Sequence, residues 1–283
     1  MFVNRVSELA LLEKHYRSDR AEFFILYGRR KVGKTELLAH FCEGKPHVFF
    51  VADQISEQIL RTNLSMAIND AIFGVGQVSA VYNTWDDLFN TRARQAQSKR
   101  LVVVIDEFPY LMAAYPPLAS ILQHLWDQTL KNSQIMLILN GSYIRMMEET
   151  VLGYQAPLYG RRTAQYLLEP LDFLDAQYFF QAYTPEDRLR AYAVYGGTPA
   201  YLQTIRPENT LETNIIETVL ERDSLLMTRL VLSCNKNSAS RATIFLSYRR
   251  SHPGIPAKMR SNRPPSWKAS RLTWTLCNNY ISW

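Results

Sequence analysis

FFILYGRRKVGKTEL, residues 23–37, joins an apolar run, a glycine-bounded basic turn and the start of a helical pattern. The run FFILY at 23–27 has the length and composition of a strand buried on both faces of a parallel sheet. Gly28-Arg29-Arg30-Lys31-Val32-Gly33-Lys34-Thr35 then fits GxxxxGK[ST], and Glu36 opens the helix-patterned segment that follows. Strand, loop and helix in that order make the motif a phosphate loop. Gly28 and Gly33 leave room for backbone N–H groups to curl around phosphate oxygens. The helix start adds its partial positive charge. In this reading Lys34 neutralises the β- and γ-phosphates and the Thr35 hydroxyl ligates Mg2+. The nucleotide contacts run from Gly28 through Arg29, Arg30, Lys31, Val32, Gly33, Lys34 and Thr35 to Glu36.

Outward from the loop, apolar runs at 48–52, 101–105 and 135–139, with a weaker one at 165–169, alternate with helix-patterned segments at 36–42, 57–73, 85–97 and 118–130. Such alternation predicts an α/β layer fold around a parallel sheet. After Pro170 only helical patterns remain, at 172–182, 185–195 and 211–222, punctuated by Gly196, Gly197 and Pro199. The expected organisation is a P-loop α/β domain at 1–169, a small all-helical lid at 170–226 and a separate tail at 227–283. No internal repeat is present.

LVVVIDE at 101–107 ends the most apolar strand with Asp106 and Glu107. Asp106 is expected to hold Mg2+ through water, opposite Thr35, and Glu107 to orient or deprotonate the attacking water. The spacing from the phosphate loop suggests that this third strand lies beside the first. A glutamate next to the aspartate favours hydrolysis over transfer to a second substrate, which argues against a small-molecule kinase. No guanine-reading NKxD motif occurs, so ATP is preferred over GTP.

Bulk composition narrows the class. An apolar fraction of 47% suits a sizeable core. No apolar run approaches the roughly 18 residues of a membrane span, and the charged N-terminus shows no signal core, so a cytoplasmic location is expected. Three widely spaced cysteines suggest neither a disulfide framework nor a zinc site. The net charge of +6 is unevenly spread: the ten Lys and Arg residues after Asp223 face no acid, leaving 22 basic and all 26 acidic side chains before them. The main body is mildly acidic.

FVNRVSEL, YGRRKVGKTEL, VVVIDEFPYL, LILNGSYIRMMEE, APLYGRRT and YGGTPAYL stand in order across residues 2 to about 226. On these motifs the chain resembles the archaeal-type ATPase family, also found in bacteria, of the AAA+/STAND P-loop class. The resemblance implies a parallel five-stranded sheet with a helical lid, usually followed by a winged helix and a further domain. It implies that Asn4 and Arg5 line the adenine pocket, and that Asn140 or Ser142 is the polar sensor of the γ-phosphate or attacking water. Arg161 or Arg162 resembles an arginine finger or sensor, acting within the chain or across a homo-oligomer. Pro199, after Gly197 and Thr198, resembles the lid proline that touches the base.

From Met227 onward the family pattern stops, and MTRLVLSCNKNSASRATIFLSYRR carries no acid and little periodicity. A disordered basic tail is one explanation; a shifted reading frame is the other. LTWTLCNNYISW, residues 272–283, admits codons that one base earlier read TYLDTLQQLHLV, an amphipathic helix. The same offset carried back to Leu226 restores acids, periodicity and an AIA-x-G string typical of the family. The hypothesis is that one base was lost near Leu226; an unchanged frame on resequencing would refute it. Nucleic acid remains a partner for the intact family, but this tail is no basis for a DNA-binding arm. An ATP-hydrolysing switch or motor is the function expected, against a nucleotide-binding interaction module with little hydrolysis and, more remotely, a P-loop kinase.

Overall fold

The computed structural model describes residues 2–76, 81–89, 100–221, 224 and 226. The chain divides into two compact units, Met1–Leu211 and Glu212–Trp283. The first is built on five parallel strands: β1 (Glu22–Tyr27), β2 (His47–Val51), β3 (Leu101–Asp106), β4 (Ile135–Gly141) and β5 (Ala164–Leu167), in the order β2-β3-β4-β1-β5. β1, β3 and β4 are buried along their whole length, as unbroken apolar runs require. β2 and β5, at the edges, alternate between covered and exposed residues.

Successive strand residues face opposite sides, so each strand divides its apolar side chains between two cores. Phe24 and Leu26 join Val102, Val104, Met136 and Ile138 beneath α1 (Val6–Tyr16) and α2 (Lys34–Cys42), which contribute Leu12, Leu38 and Phe41. Phe23 and Ile25 join Val103, Ile105, Leu137 and Leu139 on the opposite side. There α3 (Glu57–Phe73), α4 (Phe108–Ala114) and α5 (Leu118–Gln128) cover them with Leu60, Leu64, Leu111 and Leu122.

The sheet order corrects one expectation: β3 is not beside β1. β4 lies between them, pairing Leu26 with Asn140 on one side and Ile105 with Leu139 on the other. Adjacency in a parallel sheet depends on which crossover packs where, and spacing along the chain does not determine it. The register brings the ends of β1, β4 and β3 to one side of the sheet, where Asn140 is level with Leu26 and bonds Asp106 at the end of β3. The segment read as a helix at 85–97 is helical at 85–89, where Thr84 Oγ1 accepts from the Asp87 N–H; its remainder lies outside the described residues.

Beyond β5 the chain is helical. α6 (Ile144–Met147), before β5, runs into a π-helical turn at Glu148–Leu152. After β5 come α7 (Phe173–Ala176), a 3-10 turn at Gln177–Phe180, α8 (Pro185–Tyr195) and α9 (Pro199–Leu202). Asp172 and Thr184 cap α7 and α8 through the N–H groups of Asp175 and Asp187. Gly197 packs so tightly that a Cβ there would lie 1.7 Å from the Leu171 carbonyl oxygen. α10 (Leu211–Ile215) and the π-helical turn Ile216–Leu220 follow. No helix among the described residues is long and apolar enough to cross a membrane. The basic tail at 227–283, Cys234, Cys277 and the proposed frame change lie outside the described residues. Cys42 is a buried free thiol whose burial pushes it up to about 11.

Candidate functional site

β1 ends at Tyr27, and the chain turns away through Gly28, where a Cβ would sit 2.3 Å from the Leu168 carbonyl oxygen. Any side chain there would force β1 and the end of β5 apart. Lys31 (φ 70°) and Gly33 (φ 94°) then bring the backbone through left-handed conformations into α2. Gly33 is the N-cap, and the first N–H groups of α2 have no side-chain cap among the described residues. Those donors and the helix dipole together suit an anion. The Lys34 side chain is buried and its Nζ donates to the carbonyls of Gly28 and Arg29, 2.9 Å each. Burial pulls its ammonium below the usual lysine range, against the opposing pull of Glu107 and Asp106.

Asp106 and Glu107 follow at the end of β3. Asp106 is 1% exposed. Its Oδ2 accepts from Thr35 Oγ1 at 2.5 Å, and its Oδ1 accepts from Asn140 Nδ2 at 2.5 Å and the Glu107 N–H at 2.7 Å. Burial raises its carboxyl above the ordinary range even against these donors. Glu107 occupies the left-handed region at φ 51° as the N-cap of α4, a conformation costing about 1–2 kcal/mol for a residue with a Cβ. Both its carboxylate oxygens accept from Ser142 Oγ at 2.9 Å. Asn140 Oδ1 is buried and has no hydrogen-bond partner among the described residues. A strained glutamate and an unpaired buried acceptor at one strand edge mark a place organised for something other than stability.

Above this network lies a cavity of about 530 Å3, within the range of small-molecule sites. Its floor is Arg30, Lys31, Val32, Gly33, Lys34, Thr35 and Glu36, and one wall is Glu107, Tyr110 and Ser142. The other wall is more apolar: Phe2 and Val3 from the N-terminus, with Leu171, Phe179, Pro199 and Ala200 from the helices after β5. An oxygen donor pair, Thr35 and Asp106, beside a basic loop suits a hard divalent cation that completes its shell with phosphate and water. Among the described residues no three His, Cys, Asp or Glu side chains cluster as a metal cage.

The remaining sequence candidates are distributed unevenly. Arg5 lines the cavity and is buried, donating to the carbonyls of Val32 (3.0 Å) and Glu169 (2.8 Å) while pairing with Glu8 at 2.7 Å. It therefore ties the phosphate loop to the segment after β5. Asn4 is exposed, bonds Asp175 and does not line the cavity. Arg161 pairs with Asp127 at 3.0 Å, and Arg162 donates to the Leu152 carbonyl at 3.3 Å and lies 5.2 Å over the Tyr159 ring. Both precede β5 at the edge where the strands begin, and neither lines the cavity. Phe2, Val3, Tyr110, Leu171 and Phe179 escaped sequence reasoning, because single apolar residues in separate segments show no local pattern.

A parallel α/β sheet, a glycine-bounded basic loop opening a helix, and an aspartate–glutamate pair two strands away define a P-loop ATPase fold. Comparison with known proteins gives the family. The profile of the ATPase domain predominantly from Archaea matches residues 2–205. MJECL04 of Methanocaldococcus jannaschii is 34% identical over 206 residues, covering 73% of this chain and 44% of that protein. The same organism's MJ0423, described as an ATP-binding protein, is 53% identical over 45 residues, 16% of this chain and 76% of its own length. Among solved structures, the Walker-type ATPase PABY2304 of Pyrococcus abyssi superposes with a TM-score of 0.62 at 19% identity, over 84% of this chain and 77% of that one. The chain belongs to this archaeal-type ATPase domain family. It spans less than half the length of MJECL04.

Proposed function

We propose that the chain binds ATP with Mg2+ in this cavity and hydrolyses it to ADP and phosphate, as a switch or motor of the AAA+/STAND kind. The observation that carries the proposal is the continuous network from the phosphate loop to the acids: Thr35 to Asp106, Asp106 to Asn140, and Glu107 to Ser142. Thr35 and Asp106 are the residues that would hold Mg2+, which when bound supplies positive charge to the phosphate oxygens. Lys34 has two carbonyl partners of its own loop to exchange for phosphate oxygens, and α2 offers its uncapped N–H groups. Glu107 accepts the proton of the attacking water. Asn140 fixes the Asp106 carboxylate and keeps one free acceptor for a water, the sensor-like role, while Ser142 orients Glu107.

Phe2, Val3, Leu171 and Phe179 give the base an apolar slot. The helices α7, α8 and α9 act as the lid in this proposal, with Pro199 on the base and Arg5 linking lid movement to the loop. Arg161 or Arg162 would serve as a finger only for a neighbouring copy in a homo-oligomer. Phosphate release by the full chain with ATP and Mg2+ tests the proposal. Lys34→Ala should abolish binding, and turnover by Lys34→Ala equal to that of the wild type would refute the proposed site.

One observation favours the second reading, a nucleotide-binding interaction module with little hydrolysis. Ser142 engages both oxygens of Glu107, which occupies the base needed for water. Tight ATP binding without steady-state phosphate release would establish that alternative.

A further inference from the structure

Two arginines sit inside the phosphate loop, and their side chains differ in placement. Arg30 lines the cavity together with Lys34, Thr35, Glu107 and Ser142, whereas Arg29 does not. We propose that Arg30 is a catalytic residue of ATP hydrolysis, an arginine finger carried by the chain's own phosphate loop and directed at the γ-phosphate. The proposal rests on the ATPase reading and adds the source of transition-state charge.

The contacts of Arg30 suit a guanidinium waiting for an anion. One terminal nitrogen donates to Tyr110 Oη at 2.5 Å and Nε donates to Ser142 Oγ at 3.4 Å, while the group lies 5.8 Å from the Tyr143 ring centre. Among the described residues these partners are neutral, and no carboxylate forms an ion pair with Arg30. Lys34 lines the same cavity, beside Thr35 and Glu107. Two cations brought toward one cavity repel unless a polyanion lies between them. The planar fork of a guanidinium matches paired phosphate oxygens.

Ser142 also joins Arg30 to the base, since the hydroxyl that accepts from Arg30 donates to both Glu107 oxygens. In the reaction, a water oxygen bonds to the γ-phosphorus as the bond from that phosphorus to the β–γ bridging oxygen breaks. ADP leaves with the bond's electron pair, and the water's proton passes to Glu107. Arg30 faces the negative charge that spreads over the γ-phosphoryl oxygens in this step. The other candidates, Arg161 and Arg162, are engaged with Asp127 and the Leu152 carbonyl away from the cavity.

The test compares wild type, Arg30→Ala, Arg30→Lys and Glu107→Gln in the full chain, measuring ATP affinity and phosphate release separately. Arg30→Ala is expected to bind ATP within about threefold of the wild type and to release phosphate at least ~10^3-fold more slowly, the scale of a finger. Arg30→Lys keeps the charge without the fork and should recover only part of the rate; it carries the test if Arg30→Ala folds poorly. An equal mixture of Arg30→Ala and Glu107→Gln should stay inactive, because the finger acts within its own chain. Recovery in the mixture would assign the arginine to a neighbouring subunit and overturn the proposal. Loss of ATP binding in Arg30→Ala, or turnover within tenfold of the wild type, would also overturn it. A wild type that releases no phosphate removes the ATPase reading and this inference together; an active wild type beside an equally active Arg30→Ala removes the inference alone.

Discussion

The two edges of the sheet bury carboxylates with opposite character. At the edge where β1 begins, Glu22 is 0% exposed and receives hydrogen bonds from Thr163, Ser18 (2.9 Å), Arg20 (3.0 Å) and His15 (2.9 Å). Burial alone would raise its carboxyl, but these donors outweigh it and hold it at about 2. Where β3 ends, on the opposite side of the sheet, Asp106 is as deeply buried and its carboxyl is raised. Beside it stand a left-handed Glu107 and an Asn140 oxygen without a partner among the described residues. One edge is satisfied from within the protein. The other leaves acceptors, donors and charges for groups that the chain does not supply, which is where stability is given up for chemistry.

Replacing Lys34 by Ala should break this contrast most strongly. ATP affinity is expected to fall by more than about 10^3-fold, read by nucleotide binding, since the ammonium is the buried cation facing the phosphates. The melting temperature should change little, because the lysine bonds only carbonyls of its own loop.

Glu22→Gln should instead leave nucleotide binding intact and lower stability by about 3 kcal/mol at neutral pH, measured by denaturant unfolding. The sign follows from the depressed carboxyl. Its stabilisation is complete above the ordinary value of 4.5 and disappears as pH falls through about 2. The variant and wild type should therefore converge in acid; a constant gap down to pH 2 would contradict the assignment.

Asp106→Asn should show the reverse. A carboxyl raised in the folded state opposes folding when ionised, and that cost is relieved as pH falls through its raised folded value. Neutralising it is expected to raise the melting temperature by about 1–3 °C at neutral pH while phosphate release collapses. A melting temperature that drops would show that the aspartate serves the fold as Glu22 does.

The cavity edge was far more legible in the sequence than its counterpart. The loop from Gly28 to Thr35 and the Asp106–Glu107 pair are contiguous, and each lies beside an apolar strand that announces it. The sheet's position order was not, because the placement of β4 between β1 and β3 is a pairing between distant segments. That insertion nevertheless explains why Asn140 and Ser142 meet the acids. Arg161 and Arg162 carry no local sign of their engagement with Asp127 and the Leu152 carbonyl, so a motif alone brought them into consideration. The apolar side of the cavity draws Phe2, Leu171 and Phe179 from separate stretches, and only the folded chain assembles them. Glu22 stands alone before the apolar run at 23–27, with no motif around it to mark a buried acid.

The most direct measurement sets Glu107→Gln beside the wild type, following bound ATP and released phosphate with Mg2+ present. The account predicts that the variant retains ATP at wild-type affinity or better and releases phosphate at least 100-fold more slowly, because the loop is intact and the proton acceptor is gone. Equal phosphate release by the two proteins would contradict it.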